Sequence, residues 1–379
     1  MKKNKINIIN KIIKWYAFLS GYKKGAAGEG GNNEISCVVI YSTTALGDLI
    51  LNTPAINALR KKFPDARLVL VSSPKNKGLV QDSPLFDEVL YWNNKFNNIL
   101  YFIYKLRRLR PQLAVILHSY FPYDILSVVL AGCPNIYRDH YGAESPALNH
   151  WLTAYSQKFE GHTVQRKLNL LHTLGCDTTA ARMTIPVPVP RGAKPMDKVR
   201  IGFQLGASRD FRRWPPECFA ALANKLMEQD PRLEVMLIGG QNELSLANDF
   251  MALIPAGYRQ RIVSLVGKTG LLELASAITT FDTLVTGDTG PLHLAIAQQV
   301  RTVSLFVTAN PLYTGPNQDP HLHQVIYKPR QTLSPELAGS AFPMAAITVD
   351  EVFAAVRRSY RQGQDDIPDR AVDGYHYGT

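Results

Sequence analysis

The most chemically versatile stretch of this sequence is a turn at residues 286–293, which reads Thr-Gly-Asp-Thr-Gly-Pro-Leu-His. A β-type apolar run, Thr283–Val285, precedes it, and helically spaced apolar residues follow. Pro291 suits a first helical turn, whose free N–H groups and positive dipole end attract an anion. The turn also supplies a carboxylate, a hydroxyl, a flexible glycine and an imidazole: Asp288, Thr289, Gly290 and His293. The pattern predicts an anion-binding turn; the alternative is an ordinary strand-to-helix turn capped by Asp288.

A second stretch with the same chemistry runs from Gly206 to Pro215, between a predicted strand and a helix that starts at a proline. It places one hydroxyl, Ser208, among three arginines, Arg209, Arg212 and Arg213. Guanidinium groups beside a helix N-terminus form a good phosphate site. The alternative is a solvated basic loop.

Two carboxylates stand at predicted helix starts. Asp48 follows Gly47 after the first predicted strand, and Glu243 follows Gly239 and Gly240. Asp48 suits a general base, and Glu243 could accept hydrogen bonds from two sugar hydroxyls. Each has an alternative role as a helix cap. No Asp-x-Asp pair follows a strand and the histidines are sparse, so we predict no metal site.

Strands that alternate with helices must position these loops. The pattern predicts a parallel, doubly wound α/β sheet in each of two domains, with loops at the strand ends meeting around a cleft. The predicted boundaries are an arm and linker at 1–33, a first domain at 34–185, a second domain at 186–347, a C-terminal helix at 348–362 and a disordered tail at 363–379. Four scattered cysteines favour a reducing compartment and exclude a zinc or disulfide framework.

The N-terminus is strongly basic. The chain has a formal net charge of +11, and seven lysines precede the first acid, Glu29. Residues 5–20 have helically spaced apolar residues and several aromatic ones, which is typical of an amphipathic helix on an anionic membrane. The alternative is a helix docked on the protein's own core. The segment lacks a signal-peptide cleavage pattern, and no apolar run is long enough to span a bilayer.

Five motifs, in order, resemble those of glycosyltransferase family 9, the heptosyltransferases. They are ALGDLILNTPAINALRKKFPDARL, HTVQRKLNLLHTLG, GASRDFRRWPPECFAALANKL, LIGGQNE and TGDTGPLHLAIA, within residues 36–330. The resemblance implies a GT-B fold of two Rossmann-like domains. It further implies that the N-terminal domain binds a lipopolysaccharide acceptor and the C-terminal domain binds ADP-heptose.

The resemblance also implies residue roles. Asp48, beside Gly47 on the acceptor side, matches the catalytic base, and Ser208 and Arg212 match positions that face the donor phosphates. Glu243 matches the ribose contact, and Thr269 lies near the adenine contact. The donor loop corresponds to Asp288, Thr289, Gly290 and His293, and Lys95 is the basic residue nearest the acceptor phosphates.

We therefore predict an inverting, metal-independent glycosyltransferase that moves heptose from ADP-heptose to an inner-core or other lipid-linked glycan. The predicted partners are the nucleotide-sugar, the glycan and an anionic membrane met through residues 1–24, without nucleic acid. The predicted location is the cytoplasmic face of the bacterial inner membrane. The alternatives are a transferase with another nucleotide-sugar donor, and a non-catalytic binding protein at the membrane surface.

Overall fold

The computed structural model describes residues 2–25, 35–93, 98–140 and 145–365. The chain forms two compact units. The first unit comprises Met1–Pro190, Gly270–Ala275 and Leu312–Gln318, and the second comprises Arg191–Thr269, Ser276–Pro311 and Asp319–Thr379. Lys95, residues 26–33 of the predicted linker and residues 366–379 of the predicted tail lie outside the described residues.

The first unit is built on a parallel six-stranded sheet in the order β3-β2-β1-β4-β5-β6. The central strand β1 is buried along its whole length, as expected for a parallel sheet covered on both faces. The strands are β1 Cys37–Ser42, β2 Arg67–Ser72, β3 Glu88–Tyr91, β4 Leu113–His118, β5 Asn135–Arg138 and β6 Ala154–Tyr155.

The second unit repeats this plan with the order β12-β11-β10-β7-β8-β9, again with parallel neighbours. Its strands are β7 Val199–Gln204, β8 Leu233–Ile238, β9 Ile262–Ser264, β10 Thr283–Gly287, β11 Thr302–Phe306 and β12 His323–Tyr327. Because β10, β7 and β8 are neighbours, the loops that follow them leave the same edge of the sheet.

Helices connect the strands in both units. Those of the first half of the chain are α1 Lys2–Ser20, α2 Leu46–Lys62, α3 Lys77–Val80, α4 Ile99–Leu109, α5 Tyr123–Leu130, α6 Pro146–Asn149 and α7 Thr163–His172. Those of the second half are α8 Pro216–Gln229, α9 Leu244–Ala252, α10 Leu271–Ile278, α11 Gly290–Ala297, α12 Pro311–Thr314, α13 Pro335–Gly339 and α14 Val349–Asp365.

The predicted fold class, two doubly wound Rossmann-like sheets, is confirmed. Three strands were not predicted: β5, β6 and β12. Each is short, and β5 and β12 mix polar residues into the apolar run, so neither shows the continuous apolar pattern of a buried strand.

Candidate active site

Asp48 lies at the end of β1, in the first turn of α2. Its Oδ2 accepts a hydrogen bond from the backbone N–H of Ala45 at 3.2 Å, so the predicted capping role is real. The other oxygen, Oδ1, lies 3.0 Å from Nδ1 of His118, at the end of the neighbouring strand β4. Gly47 is buried beside it, and the Asp48 side chain stays 24% exposed. One oxygen of the carboxylate therefore caps α2, and the other faces the imidazole of His118.

The environment keeps Asp48 ionised. Burial by itself raises the pKa of this carboxyl group, but the hydrogen-bonding and charge effects of His118, with a smaller effect of Lys167, lower the pKa to about 2. His118 was not predicted as a site residue. The signal that could have found it is its position at the C-terminal end of a strand beside β1.

A buried ionic cluster belongs to the same unit. The Asp139 carboxylate accepts two hydrogen bonds from Arg166, at 2.7 and 2.8 Å, and one from the Ser156 hydroxyl at 2.8 Å. Nζ of Lys167 lies 3.1 Å from Oδ2 of Asp139, and the Lys167 side chain is only 1% exposed. Burial raises the pKa of Asp139, but Lys167 and Arg166 together hold it well below its usual range. Arg166 and Lys167 lie in the motif HTVQRKLNLLHTLG, and no role was predicted for either residue.

In the second unit, the arginine loop contacts the turn after β10. A Cβ placed on Gly287 would lie 3.3 Å from the carbonyl oxygen of Arg212, so the backbone of the arginine loop approaches this glycine closely. Trp214 anchors the loop: it is buried, and its indole N–H donates to the carbonyl of Ile347 at 2.9 Å. The two loops predicted to bind an anion therefore meet.

The three arginines of that loop differ in environment. Arg213 forms an ion pair with Asp210 at 3.0 Å, and Arg209 is exposed, as is Ser208. Arg212 is half-buried, and its Nε has no hydrogen-bond partner among the described residues. Of the three, Arg212 is the one that is half-buried and forms no ion pair with a described acidic residue.

The start of α11 supplies further donors. Its N-cap is Thr289, and the Thr289 hydroxyl contacts the Thr286 hydroxyl at 2.9 Å, so no described side chain caps the helix. Asp288 precedes the cap, so the alternative in which Asp288 caps the helix is wrong. Oδ1 of Asp288 instead lies 3.9 Å from Nε2 of the buried His293. Pro291 has no N–H, and the N–H of Leu292 donates to the carbonyl of Thr289 at 3.1 Å, so it is the N–H of Gly290 that remains available to an anion at the start of α11.

Glu243 lies between the ends of β7 and β8. Its Oε2 accepts hydrogen bonds from the N–H of Gly240 at 2.9 Å and from Nε2 of Gln204 at 3.2 Å. A Cβ on Gly206 would lie 1.7 Å from Oε1, and one on Gly239 would lie 2.3 Å from Oε2. The space that these two glycines leave is occupied by the Glu243 carboxylate.

Thr269 follows a loop packed beside the same strand end. The N–H of Gly267 donates to the carbonyl of Gly239 at 3.0 Å, and Gly267 has a left-handed φ of +71°. Thr269 itself is half-buried. The structure thus gathers the predicted residues of the second unit along one sheet edge. Lys95 lies outside the described residues.

The described residues form neither a metal-binding cluster nor a membrane-spanning helix. Within the described ranges, no three His, Cys, Asp or Glu side chains are grouped so that they could hold a metal ion. In the same part of the chain, no helix combines the length and apolar character that crossing a bilayer requires.

Comparison with known proteins decides the family. The pattern that defines glycosyltransferase family 9 (heptosyltransferase) matches residues 136–333, about half of the chain. The chain belongs to glycosyltransferase family 9. The match covers the arginine loop, Glu243, Thr269 and the α11 turn, and it begins after Asp48 and His118. The chain is therefore a glycosyltransferase.

Individual members of glycosyltransferase family 9 extend the likeness to most of the chain. Lipopolysaccharide heptosyltransferase 3 of Escherichia coli is 24% identical over 287 residues, which cover 71% of this chain and 83% of that enzyme. A family 9 structure from Veillonella parvula has a TM-score of 0.72 at 22% identity and covers 87% of this chain and 99% of its own. The E. coli ADP-heptose lps heptosyltransferase II has a TM-score of 0.68 at 19% identity, covering 86% and 99%. These structures support the GT-B fold.

Proposed function

We propose that the protein transfers heptose from ADP-heptose to a sugar of the lipopolysaccharide inner core, with inversion and without a metal ion. The observation that carries the proposal is the contact between the Arg212 loop and the turn that starts α11. Together they offer a guanidinium and the N–H of Gly290 at the helix start to one anion. Membership of a heptosyltransferase family makes a nucleotide diphosphate the natural anion, and a related structure is named for ADP-heptose.

In the second unit, each donor residue has a task. Arg212, Ser208 and the N–H groups at Thr289 and Gly290 hold the diphosphate and stabilise the charge that develops on it as it leaves. Glu243 is held at the strand ends by Gln204 and Gly240, and it accepts hydrogen bonds from the ribose hydroxyls. Thr269 lies toward the adenine, and Asp288 with His293 shapes the turn.

In the first unit, Asp48 acts as the general base. The acceptor oxygen attacks the anomeric carbon from the face opposite the diphosphate, the bond from that carbon to the diphosphate oxygen breaks, and the acceptor proton passes to Asp48. A carboxylate with a pKa of about 2 takes this proton only as the new bond forms, when the acceptor oxygen becomes acidic. Gly47 and Lys95 contribute to the acceptor side.

The cellular setting follows from a lipid-linked acceptor. We propose that the enzyme works at the cytoplasmic face of the inner membrane as a peripheral protein, and that the basic residues 1–24 hold it there. No nucleic acid is part of this proposal.

A turnover panel tests the reaction. Purified protein is incubated with ADP-heptose, UDP-glucose or GDP-mannose and with lipopolysaccharide truncated before the first heptose or after it, in EDTA throughout. Of the three donors, we expect only ADP-heptose to give product. Transfer only from another nucleotide-sugar would replace the proposed donor, and no transfer with any pair would contradict the proposed metal-independent reaction.

A further inference from the structure

Helix α1 is built into the first unit. Ile9 and Ile13 are 3% and 0% exposed and belong to the apolar cluster beneath them. The indole N–H of Trp151 donates to Oδ1 of Asn10 at 2.9 Å, and the hydroxyl of Tyr22 donates to the carbonyl of Cys133 at 2.8 Å. One face of the helix is therefore docked on the protein's own core, which is the alternative considered from the sequence.

A second face of α1 is apolar and exposed. Ile8, Ile12, Trp15 and Leu19 recur at helical spacing and form one stripe. Trp15 is 69% exposed, Leu19 61% and the adjoining Phe18 85%. Single exposed apolar residues are ordinary on a soluble protein, but a contiguous row of five large ones marks an interaction surface.

Helix α4 presents a second exposed apolar face. Its inner residues Phe102 and Leu106 lie in the same apolar cluster as Ile9 and Ile13. Its outer residues Leu100, Tyr101 and Tyr104 are 76%, 61% and 57% exposed. Both helices bury their inner sides in one apolar cluster, so they cover the same side of the sheet and their outer sides face solvent there.

The two helices also touch. The guanidinium carbon of Arg107 in α4 lies 5.7 Å from the ring centroid of Tyr16 in α1. The exposed stripe of α1 and the outer residues of α4 therefore belong to neighbouring parts of one surface, which we call the two-helix face.

The charge of the two-helix face has a single sign. Neither α1 nor α4 contains an acidic residue. Exposed lysines flank the α1 stripe at Lys11 and Lys14, and Lys105 and Arg108 lie over the rings of Tyr101 and Tyr104, at 4.8 and 5.9 Å. Cations around aromatic and aliphatic side chains match the interfacial layer of an anionic bilayer, where rings sit at the headgroups and lysines meet lipid phosphate.

We propose that the two-helix face is a rigid docking surface for an anionic phospholipid bilayer. The proposal deepens the peripheral attachment proposed above and uses the transfer reaction only to explain why a lipid surface is needed. Residues 1–24 then contribute to membrane binding as part of a folded surface. The orientation of the first unit on the membrane is then fixed by two helices rather than by a tether.

The protein carries a native reporter for this contact. Of its four tryptophans, Trp92, Trp151 and Trp214 are buried, at 2%, 8% and 2% exposure, and only Trp15 is exposed. Adding vesicles of phosphatidylethanolamine and phosphatidylglycerol should shift the emission of full-length protein to the blue, and brominated lipids should quench the shifted component. Vesicles of phosphatidylcholine alone should leave the spectrum unchanged.

Two outer-face variants locate the surface by vesicle co-sedimentation. Ile12→Ser with Phe18→Ser should weaken binding by roughly tenfold or more, and Leu100→Ser with Tyr101→Ser should weaken it by a smaller but measurable factor. Met196→Ser, a fully exposed apolar residue of the second unit, is the matched control and should bind as wild type does. Deletion of α1 is unsuitable because it removes Ile9 and Ile13 from the core.

The outcomes separate the possibilities. Wild-type binding by the α1 variant would overturn the proposal, and wild-type binding by the α4 variant would overturn the two-helix form of it. The wild-type protein could instead fail to bind vesicles and sediment as a dimer, with the α1 variant sedimenting as a monomer. In that case a second copy of the chain covers the two-helix face, and the proposal fails. Transfer to a soluble, delipidated acceptor should survive in all variants, so loss of vesicle binding and failure of the proposed reaction are measured independently.

Discussion

The charged groups at the candidate sites of the two units have opposite surroundings. In the first unit, Asp48 is matched by His118 and by a backbone N–H, and Asp139 by Arg166 and Lys167. In the second unit, the buried Nε of Arg212 has no partner among the described residues, and the start of α11 has no side-chain cap. The first arrangement fixes the protonation state of a carboxylate, whereas the second attracts an anion. The difference is what the proposed acceptor site, which must accept a proton, and the proposed donor site, which must bind a diphosphate, would each require.

The largest expected effect comes from removing the charge of Asp48. Asp48→Asn should lower turnover by roughly 10²- to 10⁴-fold, because an amide cannot take the acceptor proton. Asparagine caps helices about as well as aspartate, so the melting temperature should change little. Donor affinity, measured by calorimetry, should also stay near that of the wild type. If Asp48→Asn keeps most of its turnover, Asp48 only caps α2 and is not the general base. The proposed difference between the two units would then be wrong.

The buried cluster of the first unit should control stability instead of turnover chemistry. Asp139→Asn leaves Arg166 and Lys167 buried without a carboxylate and should lower the free energy of unfolding by about 3 kcal/mol or more. Glu160→Gln, which breaks only an exposed contact with Lys158, is the control and should have little effect. Urea denaturation of the three proteins gives the comparison.

The difference in unfolding free energy between the wild type and Asp139→Asn should depend on pH. Because the folded pKa of Asp139 is depressed, its stabilising contribution is complete above the unfolded pKa of about 3.9 and is lost as pH falls through the folded value. The gap between wild type and Asp139→Asn should therefore be full at neutral pH and narrow in strong acid. A gap that does not narrow with acidification would show that the ionised form of Asp139 is not what stabilises the fold.

A smaller effect is expected at His118. His118→Ala removes the group 3.0 Å from the Asp48 carboxylate and should lower turnover about tenfold, the equivalent of one hydrogen bond to a charged group. His118→Gln keeps a donor and should recover part of the loss, with donor affinity unchanged in both. Equal activity of the alanine variant and the wild type would show that the contact does not position Asp48.

Sequence patterns were sufficient for the fold and for the residues at strand ends. Strands such as β1 and β4 are almost continuous apolar runs, and the chemistry of a doubly wound sheet collects where the strands end. The positions of Asp48, Arg212 and the α11 turn therefore follow from the sequence pattern. The contact between the Arg212 loop and Gly287 does not, because it depends on the neighbouring positions of β7 and β10. His118 was missed for the same reason: its partner lies 70 residues earlier in the chain, on an adjacent strand.

Helix α1 shows a different limit of the sequence. Its apolar residues were interpreted as one membrane face, whereas the structure divides them between a buried stripe with Ile9 and Ile13 and an exposed stripe with Ile8, Ile12 and Trp15. When apolar residues occupy two sides of a helix, their spacing does not single out one side, so periodicity alone cannot show which side packs on the core. Only the packing partners, such as Trp151, distinguish them.

Calorimetric titration with ADP, UDP and GDP, in EDTA and then in Mg²⁺, tests most directly that the second unit is a metal-independent diphosphate site. We predict that ADP binds best and equally well in both buffers. Arg212→Ala should weaken the binding of ADP by about 1.5–3 kcal/mol and the binding of adenosine much less. Arg209 is an exposed arginine of the same loop, and Arg209→Ala should have a small effect on ADP binding. Tighter binding of UDP, a strict requirement for Mg²⁺, or equal losses for ADP and adenosine would contradict the account.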